Sequence, residues 1–151
     1  MLYVPKGDGS MLWGNTWKGF LKRNPETGEK IFRPKDPQNP TRYLTKVKAE
    51  NPELKQVFEE YSKKYFDGFE FAQVQMNKNY PCPKHTDRNK GESICVAFGD
   101  YDGGLLCIDK DNVIEKYDPR DQPVKFDGYK YEHWVEPVLE GTRYSLVFFT
   151  N

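Results

Sequence analysis

From Gly68 onward the sequence takes up a two-residue period, and this alternation most constrains what the chain can fold into. Candidate strands fall at 69–76, 82–87, 93–98, 104–108, 113–117, 122–126, 130–138 and 143–150. Turn-forming residues separate most of them: Asn77-Lys78-Asn79, the run from Gly99 to Gly103, Asp118-Pro119, Asp127-Gly128 and Glu140-Gly141. Eight short strands at this spacing predict a mainly β fold, a double-sheet jelly roll or related barrel.

A single helix precedes them. Pro52 suits a first helical turn, Asn51 suits the cap before it, and Glu53 lies near the positive end of the dipole. Leu54, Val57, Phe58, Tyr61 and Tyr65 recur at helical spacing, and Asp67-Gly68 ends the run. The expected helix is therefore about 52–65, with its apolar stripe packed against a sheet.

The first 50 residues differ in character. A turn at 24–28 leads to a short strand near 30–33, and three prolines in the seven residues 34–40 exclude regular structure there. The expectation is one domain over 1–151: an irregular cover with one or two short strands over 1–50, a helix over 51–67, and the β core over 69–150. The cover carries ten Lys/Arg against five Asp/Glu, while the whole chain balances 23 basic against 23 acidic residues. Global charge gives no vote for nucleic acid or membrane; the basic segment is read as a solvated face, with an anionic substrate as the alternative.

Cys82, Cys95 and Cys107 are odd in number and lack CxxC spacing, which supports neither a disulfide framework nor a zinc knuckle. Reduced thiols in a cytoplasmic compartment are expected. No apolar stretch approaches the roughly 20 residues of a membrane helix, and Met1–Pro5 opens no signal-type apolar core.

The chain has only two histidines. His85 and Asp87 stand two apart in a candidate strand, so both face one side, and His133 follows 46 residues after Asp87. Two imidazoles and a carboxylate are the ligand set of a facial metal triad, which leaves coordination positions open. In the last strand, alternation sends Arg143 and Ser145 to one face, where a guanidinium fork and a hydroxyl can grip one carboxylate.

These segments, YPCPKHTDRNKGES, FGDYDGGLL and EHWVEPVLEGTRYSLVFF, together resemble the core of the Fe(II)- and 2-oxoglutarate-dependent dioxygenase superfamily, over about residues 69–150. The match includes an HxD…H triad, a strand-bounded Gly-Gly turn and an H-x-V-x-P-V-x-x-G-x-R-x-S ending. The resemblance implies a double-stranded β-helix, with iron on His85, Asp87 and His133. It also implies that Arg143 and Ser145 hold the distal carboxylate of 2-oxoglutarate. The implied activity is oxidative decarboxylation of 2-oxoglutarate to succinate and CO2 with O2, coupled to hydroxylation of a substrate, with ascorbate as a reductant. Related halogenases carry Gly or Ala at the triad carboxylate; Asp87 is retained here, which favours hydroxylation.

By the same resemblance, Gln73, Asn77 and Tyr80 are candidates for polar contacts to the co-substrate, against ordinary strand or turn roles. Arg88 and Asn89 are read as a solvated turn or as substrate contacts at the mouth. Trp134 is read as inter-sheet packing or as a stacking surface. Gly103-Gly104 is read as a demand of backbone geometry. The sequence leaves the substrate open among a protein side chain, a nucleic-acid base and a small metabolite, and leaves oligomeric state open. Two rivals are a cupin-type metal-binding protein and an inactive interaction module on the same fold.

Overall fold

The computed structural model describes residues 8–19, 21–23, 26, 30–32, 44–49, 52–120 and 122–150. The chain divides into two compact units, one of Met1–Trp13 with Asn51–Asn151 and the other of Gly14–Glu50.

In the larger unit the central sheet runs β10 (Val124–Phe126), β6 (Ser93–Phe98), β13 (Tyr144–Phe149), β5 (Gln73–Lys78), then the first residues of β1 (Gly9–Gly19). β13 is its spine, antiparallel to β5 on one side and β6 on the other. A second sheet has the order β11 (Glu132–Val135), β8 (Leu106–Lys110), β9 (Val113–Tyr117). A two-stranded piece joins β7 (Tyr101–Gly103) to β12 (Val138–Gly141).

Alternation along the spine builds two cores. Phe148 of β13, Val74 and Met76 of β5 and Val96 of β6 share one face and pack with Phe58 of α1 (Pro52–Tyr65). Four rings, Phe58, Tyr61, Phe66 and Phe71, surround Phe148 at centroid distances of 5.0 to 6.2 Å. On the opposite face Cys95, Val124 and Phe126 of the central sheet meet Leu106 and Ile108 of the second sheet, with Val147 and Val135 packed against them. The two sheets therefore enclose the second core between them.

The helix spans the expected residues, but its buried stripe is narrower. Leu54, Phe58 and Tyr61 face the core, whereas Val57 is 55% and Tyr65 54% exposed. Residues 82–87 form no strand; His85 makes one isolated bridge to His133. Pro81 and Pro83 have no N–H to donate, so a ladder cannot propagate through them. The expected strand 130–138 is two strands, β11 and β12, parted at Pro137. Within the expected turn 99–103, Tyr101–Gly103 is strand β7.

The smaller unit holds more strand than the expected irregular cover. β1 pairs with β4 (Leu44–Ala49) from Gly14 onward, and β2 (Leu21–Arg23) pairs with β3 (Lys30–Phe32). Asn51, most of the 24–28 turn and the proline-rich 34–40 segment lie outside the described residues. Among the described residues, no helix is long and apolar enough to cross a membrane.

Candidate metal centre and anion pocket

The bridge that replaces the expected strand brings the two histidines together. His85 N–H donates to the His133 carbonyl at 3.0 Å and His133 N–H to the His85 carbonyl at 2.9 Å. Asp87 N–H donates to Gly128 O at 2.8 Å, which turns its carboxylate toward the same point. The ligating atoms of His85, Asp87 and His133 all lie within 4.8 Å of one another.

Each imidazole is held in the same way. Nδ1 of His85 lies 2.6 Å from Pro83 O, and Nδ1 of His133 lies 3.0 Å from Tyr131 O, in both cases the carbonyl two residues earlier. A carbonyl can only accept, so it fixes hydrogen on Nδ1 and leaves Nε2 to act at the centre. The two Nε2 atoms address different oxygens of Asp87, His85 at 3.2 Å from Oδ1 and His133 at 3.1 Å from Oδ2. Hydrogen bonding to Asp87, aided by Cys82, raises the His85 pKa to about 11. Burial pushes the Asp87 carboxyl up, but hydrogen bonds from His133 and His85 outweigh it and hold the group far below the usual carboxylate range. A proton thus stands between His85 and Asp87 where a cation would sit, and the donor set fits a divalent first-row metal.

A pocket opens beside this cluster, lined by all three residues. Asn77 from β5 and Ser145 from β13 are register partners, and Asn77 Nδ2 donates to Ser145 Oγ at 3.1 Å. Tyr80 and Trp134 also line it, as do the apolar Leu106, Phe126 and Val147.

Arg143 enters at the start of β13 and is only 1% exposed. Asn79 clamps its backbone, accepting Arg143 N–H on Oδ1 at 2.8 Å and donating its own N–H to Arg143 O at 2.9 Å. Nε and Nη2 of Arg143 are buried without a hydrogen-bond partner, as is Asn77 Oδ1. Two titratable groups beside the guanidinium are held toward their neutral forms. Burial pushes the Cys95 thiol up to about 11 against the pull of Arg143, and burial likewise raises Tyr101. A buried, unpaired cation with orphaned donors is costly, so this geometry calls for an anion. The residues therefore fit both a metal and a carboxylate ligand.

Gly104 makes room for the Arg143 stem. A Cβ there would stand 2.6 Å from Arg143 Cδ, and the residue's φ is +63°. Gly103 likewise has φ +79° and approaches Pro137 O, so the Gly-Gly pair follows from backbone geometry.

The remaining candidates are placed less centrally. Gln73 is buried in β5 but does not line the pocket; Gln75, one alternation nearer, does. Arg88 is exposed and away from the lining, and Asn89 donates to Ser93 Oγ at 3.2 Å. Trp134 is half-buried at the pocket, with the Lys84 ammonium 5.1 Å from its ring centre. Sequence reasoning passed over Cys82, whose Sγ lies 3.4 Å from His85 Nδ1, the lining residues Cys95 and Gln75, and Tyr101 beside Arg143. Strand alternation between Gln73 and Asn77 would have reached Gln75; no local signal points to the others.

No family model and no curated protein matches the chain. Among solved structures, it is similar to a 2OG-Fe(II) oxygenase family oxidoreductase from Burkholderia pseudomallei, with 18% identity and a TM-score of 0.56. That alignment covers 69% of this chain and 60% of the other, so the chain spans about three fifths of that protein's length. The likeness shows a shared fold, a mainly β double-stranded β-helix with at least one supporting helix. Two further structures align at a TM-score of 0.45, too loosely to carry weight. They are NgTET1 in complex with 5mC DNA (17% identity, 90% of this chain and 60% of that) and a Pseudomonas putida prolyl-4-hydroxylase (19%, 66% and 61%).

Proposed function

We propose that the chain is an Fe(II)- and 2-oxoglutarate-dependent dioxygenase that hydroxylates a substrate still to be identified. One observation carries this reading: a buried guanidinium with orphaned donors stands against Cys95, and Cys95 lines the same pocket as two imidazoles and a carboxylate. A metal-binding jelly roll needs the second feature but not the first.

His85, Asp87 and His133 would hold the metal, and Arg143 with Ser145 would hold the far carboxylate of the keto-diacid. Asn77 and Tyr80 line the same pocket and would contact the co-substrate; Gln73 is not among the lining residues. Bound there, ferrous iron and 2-oxoglutarate supply O2-dependent oxidation, with release of succinate and CO2. The protein's own part is positional. Pro83 O and Tyr131 O set the two rings, and Asp87 supplies the anionic ligand. Leu106, Phe126 and Val147 keep the walls apolar, which strengthens the Arg143–carboxylate pair by excluding water. Trp134, which also lines the pocket, would contact the substrate, whether a protein side chain, a base or a small metabolite. Three free cysteines support a reducing, cytoplasmic setting.

The test is release of labelled CO2 from 1-labelled 2-oxoglutarate with Fe(II), ascorbate and air. Turnover, even slow and without substrate, supports the reading. Failure to bind 2-oxoglutarate in the presence of metal would leave a cupin-type binder or an inactive module.

A further inference from the structure

Arg143 carries its charge without a carboxylate partner among the described residues, yet its head must stay in place to meet a ligand. The Tyr101 ring supplies the surface. Tyr101 opens β7, is 3% exposed, and its centroid lies 5.8 Å from the Arg143 guanidinium carbon. A second guanidinium, Arg120, lies 3.9 Å from the same centroid.

The two cations differ in how they are balanced. Arg120 Nη2 donates to Asp118 Oδ2 at 2.8 Å, its backbone N–H donates to Asp118 Oδ1 at 3.0 Å, and its Nη1 donates to Tyr101 O at 2.8 Å. Tyr101 Oη also donates to Asp118, at 3.3 Å. The turn carrying Asp118 and Arg120 is itself tied to the central sheet, because Ala97 of β6 donates its N–H to Pro119 O at 3.2 Å. Arg120 is thus neutralised and fixed, and it fixes the ring. Arg143 is held against the ring and left with its charge for a ligand. The aromatic face attracts the guanidinium, and its Nε and Nη2 donors stay unpartnered, where a carboxylate neighbour would take them up.

We propose that Tyr101, braced by Arg120 and Asp118, is the positioning residue for Arg143 and thereby sets affinity for the second carboxylate of a keto-diacid. The inference rests on the reading that Arg143 receives that carboxylate. It concerns neither the metal nor the keto-acid end of the ligand, and that separation makes it testable.

Binding of 2-oxoglutarate and of pyruvate, which lacks the second carboxylate, is measured by calorimetry on the Mn(II)-loaded protein. Mn(II) affinity is measured separately. Tyr101→Leu is expected to weaken 2-oxoglutarate about tenfold, in line with a desolvated cation–π contact, and to leave pyruvate and Mn(II) unchanged. Tyr101→Phe keeps the face but loses the hydroxyl's hydrogen bond to Asp118, and is expected to weaken 2-oxoglutarate less than Tyr101→Leu does. Arg120→Ala, at a partly exposed position, is expected to weaken 2-oxoglutarate in the same selective way and decides the matter if Tyr101→Leu fails to fold. Equal weakening of both ligands, or no weakening in the folded variants, overturns the positioning role. Arg143→Gln separates the two claims: if it binds 2-oxoglutarate as the parent does, the anchor reading itself falls. If only Arg143→Gln loses binding, the anchor stands and the Tyr101 inference falls.

Discussion

Arg143 Cδ lies where a Cβ on Gly104 would approach to 2.6 Å, so the stem of the buried arginine occupies the space a side chain would need. Gly104→Ala adds that contact and a methyl group at φ +63°, a conformation strained for an L residue. The expected outcome is a loss of about 1–3 kcal/mol of stability and weaker 2-oxoglutarate binding, with the metal retained. Denaturant melts and calorimetry check it; parental affinity would show that the stem is free to relocate.

Arg143→Met tests what the guanidinium is for. Its orphaned Nε and Nη2 cost stability in the ligand-free state, and an apolar replacement of similar length removes that cost. The variant is expected to melt no lower than the parent and to bind no 2-oxoglutarate. A melting temperature several degrees lower would mark Arg143 as structural.

Asp87→Ala and His85→Ala are expected to lose Mn(II) or Fe(II) binding by at least about a hundredfold, because each removes one of three ligands. Competition with a chromophoric chelator measures this directly. Metal binding within a few-fold of the parent in either variant would place the ligands elsewhere.

Metal uptake is expected to release a proton. His85, with its pKa raised to about 11 by hydrogen bonding to Asp87, is protonated in the metal-free protein throughout the neutral range. Ligation through Nε2 expels that proton, so affinity tightens as pH rises, by about tenfold per pH unit per proton released. Calorimetry in buffers of different ionisation enthalpy counts the protons; a heat independent of buffer refutes the scheme.

Phe148 is fully buried among four aromatic rings, and Phe148→Ala is expected to cost about 3–5 kcal/mol. Equilibrium denaturation gives the number. A loss below about 1 kcal/mol would mean that α1 repacks onto the sheet.

Strands bounded by turn chemistry were legible in the sequence: β6 and β9 occupy the residues that alternation and their flanking turns define. Where a proline interrupts an alternating run the pattern misleads, as at Pro81, Pro83 and Pro137, because periodicity records side-chain facing and not the missing N–H. The strands of the first 50 residues were obscured by Gly, Pro and charge, which favour loops locally. The HxD, second histidine and RxS are short-range patterns and could be read directly. Tyr101 and Asn79 act on Arg143 across 42 and 64 positions, and no local period encodes such a contact.

Both imidazoles hang from the carbonyl two residues back in their own segments, and one reciprocal pair of backbone hydrogen bonds joins those segments. The Nδ1 side of each ring is therefore set by backbone, and Asp87 meets only the Nε2 side. Chemical change around the rim can retune what enters without disturbing that backbone hold, whereas prising the two segments apart would disarm both rings in a single event.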